Sequence, residues 1–445
     1  MARRFGTDGV RGIANIELTP ELAFQLGRAG AHVLTKHRQP DSSTRLLVGK
    51  DTRLSGDMLE AALVAGILSV GADAHLVGVL PTPGVAYLTA HQNMDAGVMI
   101  SASHNPAADN GIKFFSQDGH KLPDQLEDEI EYYLDHPGLL PRPKGDSVGR
   151  VVAVTDWQVH YLRYLEGLAE QSLAGLHVVL DCANGAASQL APVLFRHLGA
   201  EVTAINASPN GLNINDGCGS THLEGLRQTV VSEQADLGLA FDGDADRLLA
   251  VDHLGHAVDG DAIMAICALH LQSEGRLQNN LLVATVMSNL GLEQAMRQHG
   301  IELLRAKVGD RYVLAMMQER AAALGGEQSG HIIFSEHSTT GDGLLTALQL
   351  TQIVANANSR LSDLAAVMQP LPQVLQSVRV HEKSIAETPA VRAAIATVEQ
   401  TLRQDGRILV RPSGTEPVVR VMVEAESKAL AEDMVALVVA ALEGK

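Results

Sequence analysis

The sequence predicts an α/β protein of four domains: three related α/β units followed by a smaller C-terminal α+β module. Three observations carry that prediction. Short β-branched runs alternate with longer helix-period segments over most of the 445 residues, the pattern of layered α/β structure. One joint recurs: "SVGADAHLVG" (69–78), "HLGAEVTAIN" (197–206) and "QHGIELLRA" (298–306) each end a helix at a glycine and start a strand two residues on. After residue 368 the pattern changes to strand, helix, two strands and helix.

Taken in order, Leu46-Leu47-Val48-Gly49 reads as a buried strand, and Ser55-Gly56-Asp57-Met58 opens a helix to about Val70. Gly71, Gly199 and Gly300 suit the left-handed position just past a helix end, which glycine occupies without steric cost. The segment "DHPGLLPRPKGDSVG" (135–149) is rich in Pro and Gly and reads as a linker before a helix near Asp156–Glu170. A second linker, "MQPLPQV" (368–374), carries two prolines. Beyond it come a strand near 374–381, a helix over 389–403, strands over 407–411 and 418–425, and a terminal helix over 427–442. The expected domains are 1–150, 151–252, 253–368 and 369–445.

Bulk composition bounds the function. A prior of about 150 residues per domain asks for about three domains in a chain this long. Hydrophobic residues at 46% and charged residues at 19% are those of an ordinary folded protein. A net charge of −18 argues against a nucleic-acid or membrane-surface binder, yet leaves room for a few arginines to hold a small anion. The three cysteines, Cys182, Cys218 and Cys267, form neither a disulfide framework nor a CxxC metal site. No apolar h-region follows Met1, and no run approaches the roughly 20 apolar residues that cross a bilayer. The expectation is a soluble, cytoplasmic protein with a small-molecule partner.

The most specific chemical signal is "AFDGDADRLLAV" (240–251). Asp242, Asp244 and Asp246 recur at alternate positions after the apolar strand "DLGLAF", so an extended segment presents all three on one side. Gly243 is expected to let the loop curl so that they converge. Three neighbouring carboxylates repel unless a hard cation lies between them, and Mg²⁺ takes oxygen ligands of this kind. The alternative is a solvated acidic turn. An EF-hand does not fit, because its sixth position is Arg247 and its twelfth is His253.

Two further stretches suggest a ligand. In "RPSGTEPVVRV" (411–421), Arg411 and Arg420 flank Ser413, Gly414 and Thr415, whose hydroxyls and backbone N–H groups could cradle a phosphate; a plain tight turn is the alternative. In "GGEQSGH" (325–331), Glu327, Ser329 and His331 alternate and are expected on one face, suited to vicinal hydroxyls or an amine; a polar turn is equally compatible. The segments "KVGDRYV" (307–313) and "FGTDGVRG" (5–12) have the same glycine-flanked, charged character.

"GVMISASHNPAADNGIKFF" (97–115) leaves a buried strand through Ser103, His104, Asn105 and Pro106. Ligands of open α/β sheets bind at such carboxyl strand ends. Ser103 could be a nucleophile, a phosphorylated residue or a strand cap. A G-x-S-x-G elbow is absent, and a Ser–His–Asp triad leaves the three aspartates unexplained. A phosphoserine explains them, since its oxygens complete the coordination of their cation. A metal-dependent phosphatase fits less well, for "DGDADR" lacks the DxDx[TV] strand end of its attacking aspartate.

"ISASHNP", "DGDADR", "GEQSGH" and "RPSGTEP", in this order and spacing, resemble the α-D-phosphohexomutase superfamily along essentially the whole chain. The resemblance implies three related α/β domains and a smaller C-terminal domain closing over a central cleft. It implies that Ser103 is the phosphoserine and that Asp242, Asp244 and Asp246, with Ser103, hold Mg²⁺. Glu327, Ser329 and His331 correspond to the sugar grip, and Arg411, Ser413, Gly414, Thr415 and Arg420 to the phosphate loop. Arg247 offsets charge on the transferring group; Lys113, His104 and then His331 are the candidates for proton transfer. "FGTDGVRG", "NGIKFF" and "KVGDRYV" resemble the glucosamine-phosphate branch. That implies interconversion of glucosamine 6-phosphate and glucosamine 1-phosphate, with a hexose 1,6-bisphosphate as intermediate and activator. The mannose/glucose-phosphate branch and a non-catalytic sugar-phosphate binder are the rivals. A homodimer, and phosphorylation of Ser103 by a kinase or by the enzyme itself, are open expectations about partners.

Overall fold

The apolar runs read as strands are paired in four sheets in the computed structural model of the chain, which describes residues 3–6, 8–36, 44–412 and 417–444, Lys383 by its backbone alone. The first sheet holds β1 (Val10–Ile13), β2 (Thr44–Lys50), β3 (Ala72–Val79), β4 (Ala96–Ile100), β5 (Asp109–Ser116) and β6 (Val151–Ala153), in the order β1-β5-β4-β2-β3-β6. The second holds β7 (His177–Asp181), β8 (Glu201–Ile205), β9 (Leu237–Phe241), β10 (Leu248–Asp252) and β11 (Ala257–Val258), ordered β11-β10-β9-β7-β8. The third holds β12 (Leu281–Thr285), β13 (Glu302–Ala306), β14 (Leu324–Gly326) and β15 (Ile332–Phe334), ordered β13-β12-β14-β15.

One topology is used three times: β5-β4-β2-β3, β10-β9-β7-β8 and β15-β14-β12-β13 are the same arrangement. In each, the third strand in chain order lies parallel to the first. The fourth then returns antiparallel beside the third. The three returns are residues 101–108, 242–247 and 327–331, so three of the motifs singled out in the sequence occupy equivalent places. The joint glycines are equivalent too. Gly71, Gly199 and Gly300 follow the helices Ser55–Ser69, Ala187–His197 and Leu290–Gln298, with φ of 93°, 95° and 70°. A side chain there would cost conformational energy that glycine avoids.

Helices cover both faces of the first sheet. Leu46, Val48, Ala96, Val98 and Ile100 pack with Leu26, Leu59, Leu63 and Ile67 from the helices Pro20–Thr35 and Ser55–Ser69. The helix Thr82–His91 packs on β2 and β4 as well. Burial on both faces is why β4 reads as an unbroken apolar run.

The chain divides into two compact units. One comprises Met1–Met287 and Leu303–Ala366; the other comprises Ser288–Glu302 and Val367–Lys445. The second carries the fourth sheet, β16 (Gln373–Arg379), β17 (Arg407–Pro412) and β18 (Val418–Glu424), with β18 central and antiparallel to both neighbours. Val378, Val419, Val421 and Val423 bury one face of it against Val391 and Val398 of the helix Pro389–Leu402 and Val435 and Val438 of the helix Lys428–Leu442. Among the described residues, no helix is long and apolar enough to cross a membrane, and the three cysteines are free and buried.

Candidate active site

Ser103 ends up where a strand-end serine should, three residues past β4 and 1% exposed. Its Oγ donates to Asp242 Oδ2 at 2.5 Å. Asp242, Asp244 and Asp246, all buried, bring ligand oxygens within 4.8 Å of one another. The curl that gathers them lies at Ala245, whose φ is 56°, and not at Gly243 as the sequence suggested. Gly243 matters for closeness: a Cβ there would lie 2.5 Å from the Ser103 carbonyl oxygen.

Hydrogen bonding decides which aspartate oxygens are spoken for. Asp244 Oδ2 accepts from Thr82 Oγ1 (2.6 Å) and from Lys113 Nζ (2.8 Å), while its Oδ1 is buried without a hydrogen-bond partner. Asp246 Oδ1 is likewise without one, with Arg247 Nε 3.8 Å away, and Asp246 Oδ2 lies 3.4 Å from His331 Nδ1. Two buried carboxylate oxygens lacking donors, beside a third carboxylate, fit a divalent cation and little else. Burial, then Asp246 and Asp244, push the Asp242 carboxyl well above the usual range, so the cluster needs added positive charge to stay ionised. Burial would also raise Asp246, but His331, Lys113 and Arg247 hold it below the usual range. The aspartates form a candidate divalent-cation site.

The cations around this site are themselves held by carboxylates. Lys113, on β5 and 2% exposed, lies 2.8 Å from Asp244 Oδ2 and 2.9 Å from Asp8 Oδ2. Burial would lower its pKa, but Asp244 and Asp8 raise it, which keeps it charged and unsuited to accept a proton. Lys121 pairs with Asp8 (2.5 Å) and with Asp310. Arg11 pairs with Asp8. His104 Nδ1 stands 3.5 Å from Ser103 Oγ; burial, then Arg247 and Arg11, lower its pKa to about 4, so its ring is neutral.

The third return places Glu327 and Ser329 together, Ser329 Oγ donating to Glu327 Oε2 at 3.2 Å and the Gly309 N–H donating to Oε1 at 3.0 Å. His331 departs from the expected common face. The turn closed by Gly330 N–H on Glu327 O, with Gly330 at φ 94°, breaks the strand-like alternation. The His331 ring instead meets Asp246 through Nδ1 at 3.4 Å, while its Nε2 faces the Gly341 N–H at 2.9 Å and Asp310 Oδ2 at 3.5 Å. In the second unit, Arg411 and Arg420 are direct cross-strand partners of β17 and β18. Ser413, Gly414 and Thr415 lie outside the described residues.

Several contributors were not among the sequence candidates. Asp8, Arg11 and Asp310 stand in "FGTDGVRG" and "KVGDRYV", whose glycine-flanked charges were the available signal. Lys121, Thr82, Arg53 and Asn215 had none, for each arrives through tertiary contact.

Family models described as phosphoglucomutase/phosphomannomutase alpha/beta/alpha domains I, II and III and C-terminal domain match residues 2–138, 160–255, 259–371 and 375–441. The phosphoglucosamine mutase of Desulforamulus reducens is 56% identical over 437 residues, covering 98% of each chain. That of Bacillus subtilis is 55% identical over 437 residues, covering 98% of this chain and 97% of its own. A solved phosphoglucomutase/phosphomannomutase family protein from Burkholderia thailandensis superposes with a TM-score of 0.84 at 25% identity, over 100% of this chain and 98% of that one. Three α/β/α domains and a smaller C-terminal α+β domain are the family's architecture as well as this chain's. The chain belongs to the phosphoglucomutase/phosphomannomutase family of the α-D-phosphohexomutase superfamily.

Proposed function

We propose that this chain is a phosphoglucosamine mutase, interconverting glucosamine 6-phosphate and glucosamine 1-phosphate through a phosphorylated Ser103. The observation that carries the mechanism is a buried serine hydroxyl donating at 2.5 Å into a cluster of three buried aspartates. The relatives of that name, 53% to 57% identical over nearly the whole chain, support the choice of substrate.

The free hydroxyl of the bound sugar attacks the phosphoryl group on Ser103; the P–Oγ bond breaks as the new P–O bond forms. The product is glucosamine 1,6-bisphosphate with Ser103 restored. The bisphosphate turns around, Ser103 Oγ attacks its other phosphate, and the second monophosphate leaves. A divalent cation, Mg²⁺ in this reading, held by Asp242, Asp244, Asp246 and the Ser103 position, would offset charge on the transferring group. Arg247 adds fixed positive charge beside Asp246. The proton lost by the sugar hydroxyl passes through the neutral His104 ring, 3.5 Å from Ser103 Oγ, to the Oγ that the breaking P–Oγ bond leaves, and returns the same way in the second half-reaction. Lys113, flanked by two carboxylates, acts as a charge partner and not as a base. Glu327 and Ser329 hold sugar hydroxyls or the amine; Arg411 and Arg420, with residues 413–415, hold the phosphate that is not transferring. A hexose 1,6-bisphosphate would prime Ser103, and the product would feed UDP-N-acetylglucosamine synthesis in the cytoplasm.

One phosphorylated preparation given glucosamine, glucose and mannose 6-phosphates tests both parts. Glucosamine 6-phosphate should turn over fastest, and intact mass should show a species one phosphate heavier, localised to Ser103. Ser103→Ala should be folded and inactive; full turnover by that variant would refute the carrier. Preference for mannose or glucose phosphate would refute the substrate.

A further inference from the structure

Residue 103 has a left-handed backbone, φ 52°, which a non-glycine residue keeps only when its surroundings enforce it. The surroundings do so through its carbonyl. Ser103 O accepts from Arg53 Nη2 at 2.9 Å and from Asn215 Nδ2 at 2.8 Å. The same two nitrogens reach Asn105 O, at 2.8 and 3.0 Å. Arg53 Nη1 also donates to the carbonyls of Pro106 and of Asp109 (3.0 Å). One guanidinium thus gathers three carbonyls of the serine return and that of Asp109, the first residue of β5, while Asn215 arrives from the segment that follows β8 of the second sheet.

The clamp is itself anchored. Arg53 is 2% exposed, and its Nε donates to Asp51 Oδ2 at 2.9 Å. The same Asp51 oxygen accepts from Ser101 Oγ (2.6 Å), and Ser101 Oγ accepts the Ser103 N–H (2.9 Å). Both the N–H and the carbonyl of Ser103 therefore end on one buried ion pair. The aspartate return closes against the same point: a Cβ on Gly243 would lie 2.5 Å from Ser103 O and 2.8 Å from Asn215 Nδ2. Rotating residue 103 out of its left-handed state would swing Oγ away from Asp242.

We infer that Arg53 and Asn215 are positioning residues for Ser103, holding its carbonyl from two domains so that Oγ, free or phosphorylated, stays aimed at the aspartate cluster. The inference rests on the reading of Ser103 as phosphoryl carrier. Neither residue touches the reacting atoms; their effect is on alignment, where small displacements cost rate and leave ground-state substrate binding largely intact.

Asn215 has φ 58°, so Asn215→Gly keeps the backbone and removes the donor, and Asn215→Asp keeps the volume and removes the donor. Arg53→Lys keeps the charge beside Asp51 but lacks the fork that spans the carbonyls. Phosphoryl uptake from a hexose 1,6-bisphosphate, followed as mass on Ser103 against time, should slow roughly 10- to 100-fold in all three. Steady-state kcat should fall in parallel, KM for glucosamine 6-phosphate should stay within about twofold, and the thermal midpoint of Asn215→Gly should stay close to the parent's. Uptake at the parent's rate in the Asn215 variants, or full activity in Asn215→Asp with loss only in Asn215→Gly, would overturn the inference, the latter by making Asn215 a space-filling residue. A parent protein that takes up no phosphate would instead overturn the carrier reading beneath it.

Discussion

Asp342 shows how a single buried charge sets a pH dependence. It starts the helix Gly343–Ala357, accepting the Leu345 N–H on Oδ1 (3.0 Å) and the Tyr161 hydroxyl on Oδ2 (2.8 Å). Burial outweighs those two bonds and pushes its carboxyl up to about 6. The folded state therefore keeps a proton that the unfolded chain surrenders near pH 4, and stability falls as pH rises from there to about 6. Above that window the ionised group costs up to roughly 3 kcal/mol, about two pH units at 1.36 kcal/mol each. Asparagine caps a helix as well as aspartate and pairs with a hydroxyl through either amide atom. Asp342→Asn should gain about 1–3 kcal/mol over the parent at pH 8 and much less at pH 4.5, read from denaturation midpoints. A difference that does not widen with pH would show that Asp342 is ionised at no cost.

At the scale of elements, the helices Pro20–Thr35 and Ser55–Ser69 meet backbone to backbone. A Cβ on Gly66 would lie 2.1 Å from Phe24 O, and one on Gly27 would lie 2.2 Å from Leu63 O. In a solvent-facing helix, Gly→Ala gains about 1 kcal/mol of propensity. Here the helices would have to move apart, and overpacking of this kind typically costs about 1–3 kcal/mol. Gly66→Ala should therefore lower the thermal midpoint, and a raised midpoint would refute the close approach. The sequence marks the helix itself, through its periodic apolar residues and the glycine beyond its end, but nothing local distinguishes a packing glycine from an idle one. The same limit explains the site. Ser103 and the three aspartates are legible because strand end and spacing are local properties. Arg53 lies 50 residues before Ser103 and Asn215 lies 112 after it, so only the folded chain joins them. Alternation misplaced His331 because it assumes extended backbone, and the intervening turn is not extended.

Over the whole molecule, one strand order used three times delivers the serine, the aspartates and the Glu327–Ser329 pair on equivalent returns, so a repeated arrangement carries three different sets of side chains at matching places. The fourth sheet adds something the repeats lack. Val419 and Val421 bury one face of β18, which leaves Arg420 on the other, directly opposite Arg411 of β17. Two arginines side by side on one sheet face can both offer charge-assisted bonds to a single anion such as a phosphate. If that anion is the non-transferring phosphate, Arg420 holds the 6-phosphate in one half-reaction and the 1-phosphate in the other. Arg420→Ala removes a charge-assisted bond worth about 1.5–3 kcal/mol, or roughly 10- to 150-fold in affinity. Affinity for glucosamine 6-phosphate, glucosamine 1-phosphate and the bisphosphate activator should fall together, because one residue serves all three. The bisphosphate intermediate must also stay bound while it turns, so the variant should release more of it and depend more on added activator. Titration of the variant with each monophosphate reads the outcome directly. Dissociation constants unchanged from the parent's would remove Arg420 from the site, and a loss confined to one monophosphate would mean that the two phosphates are held by different residues.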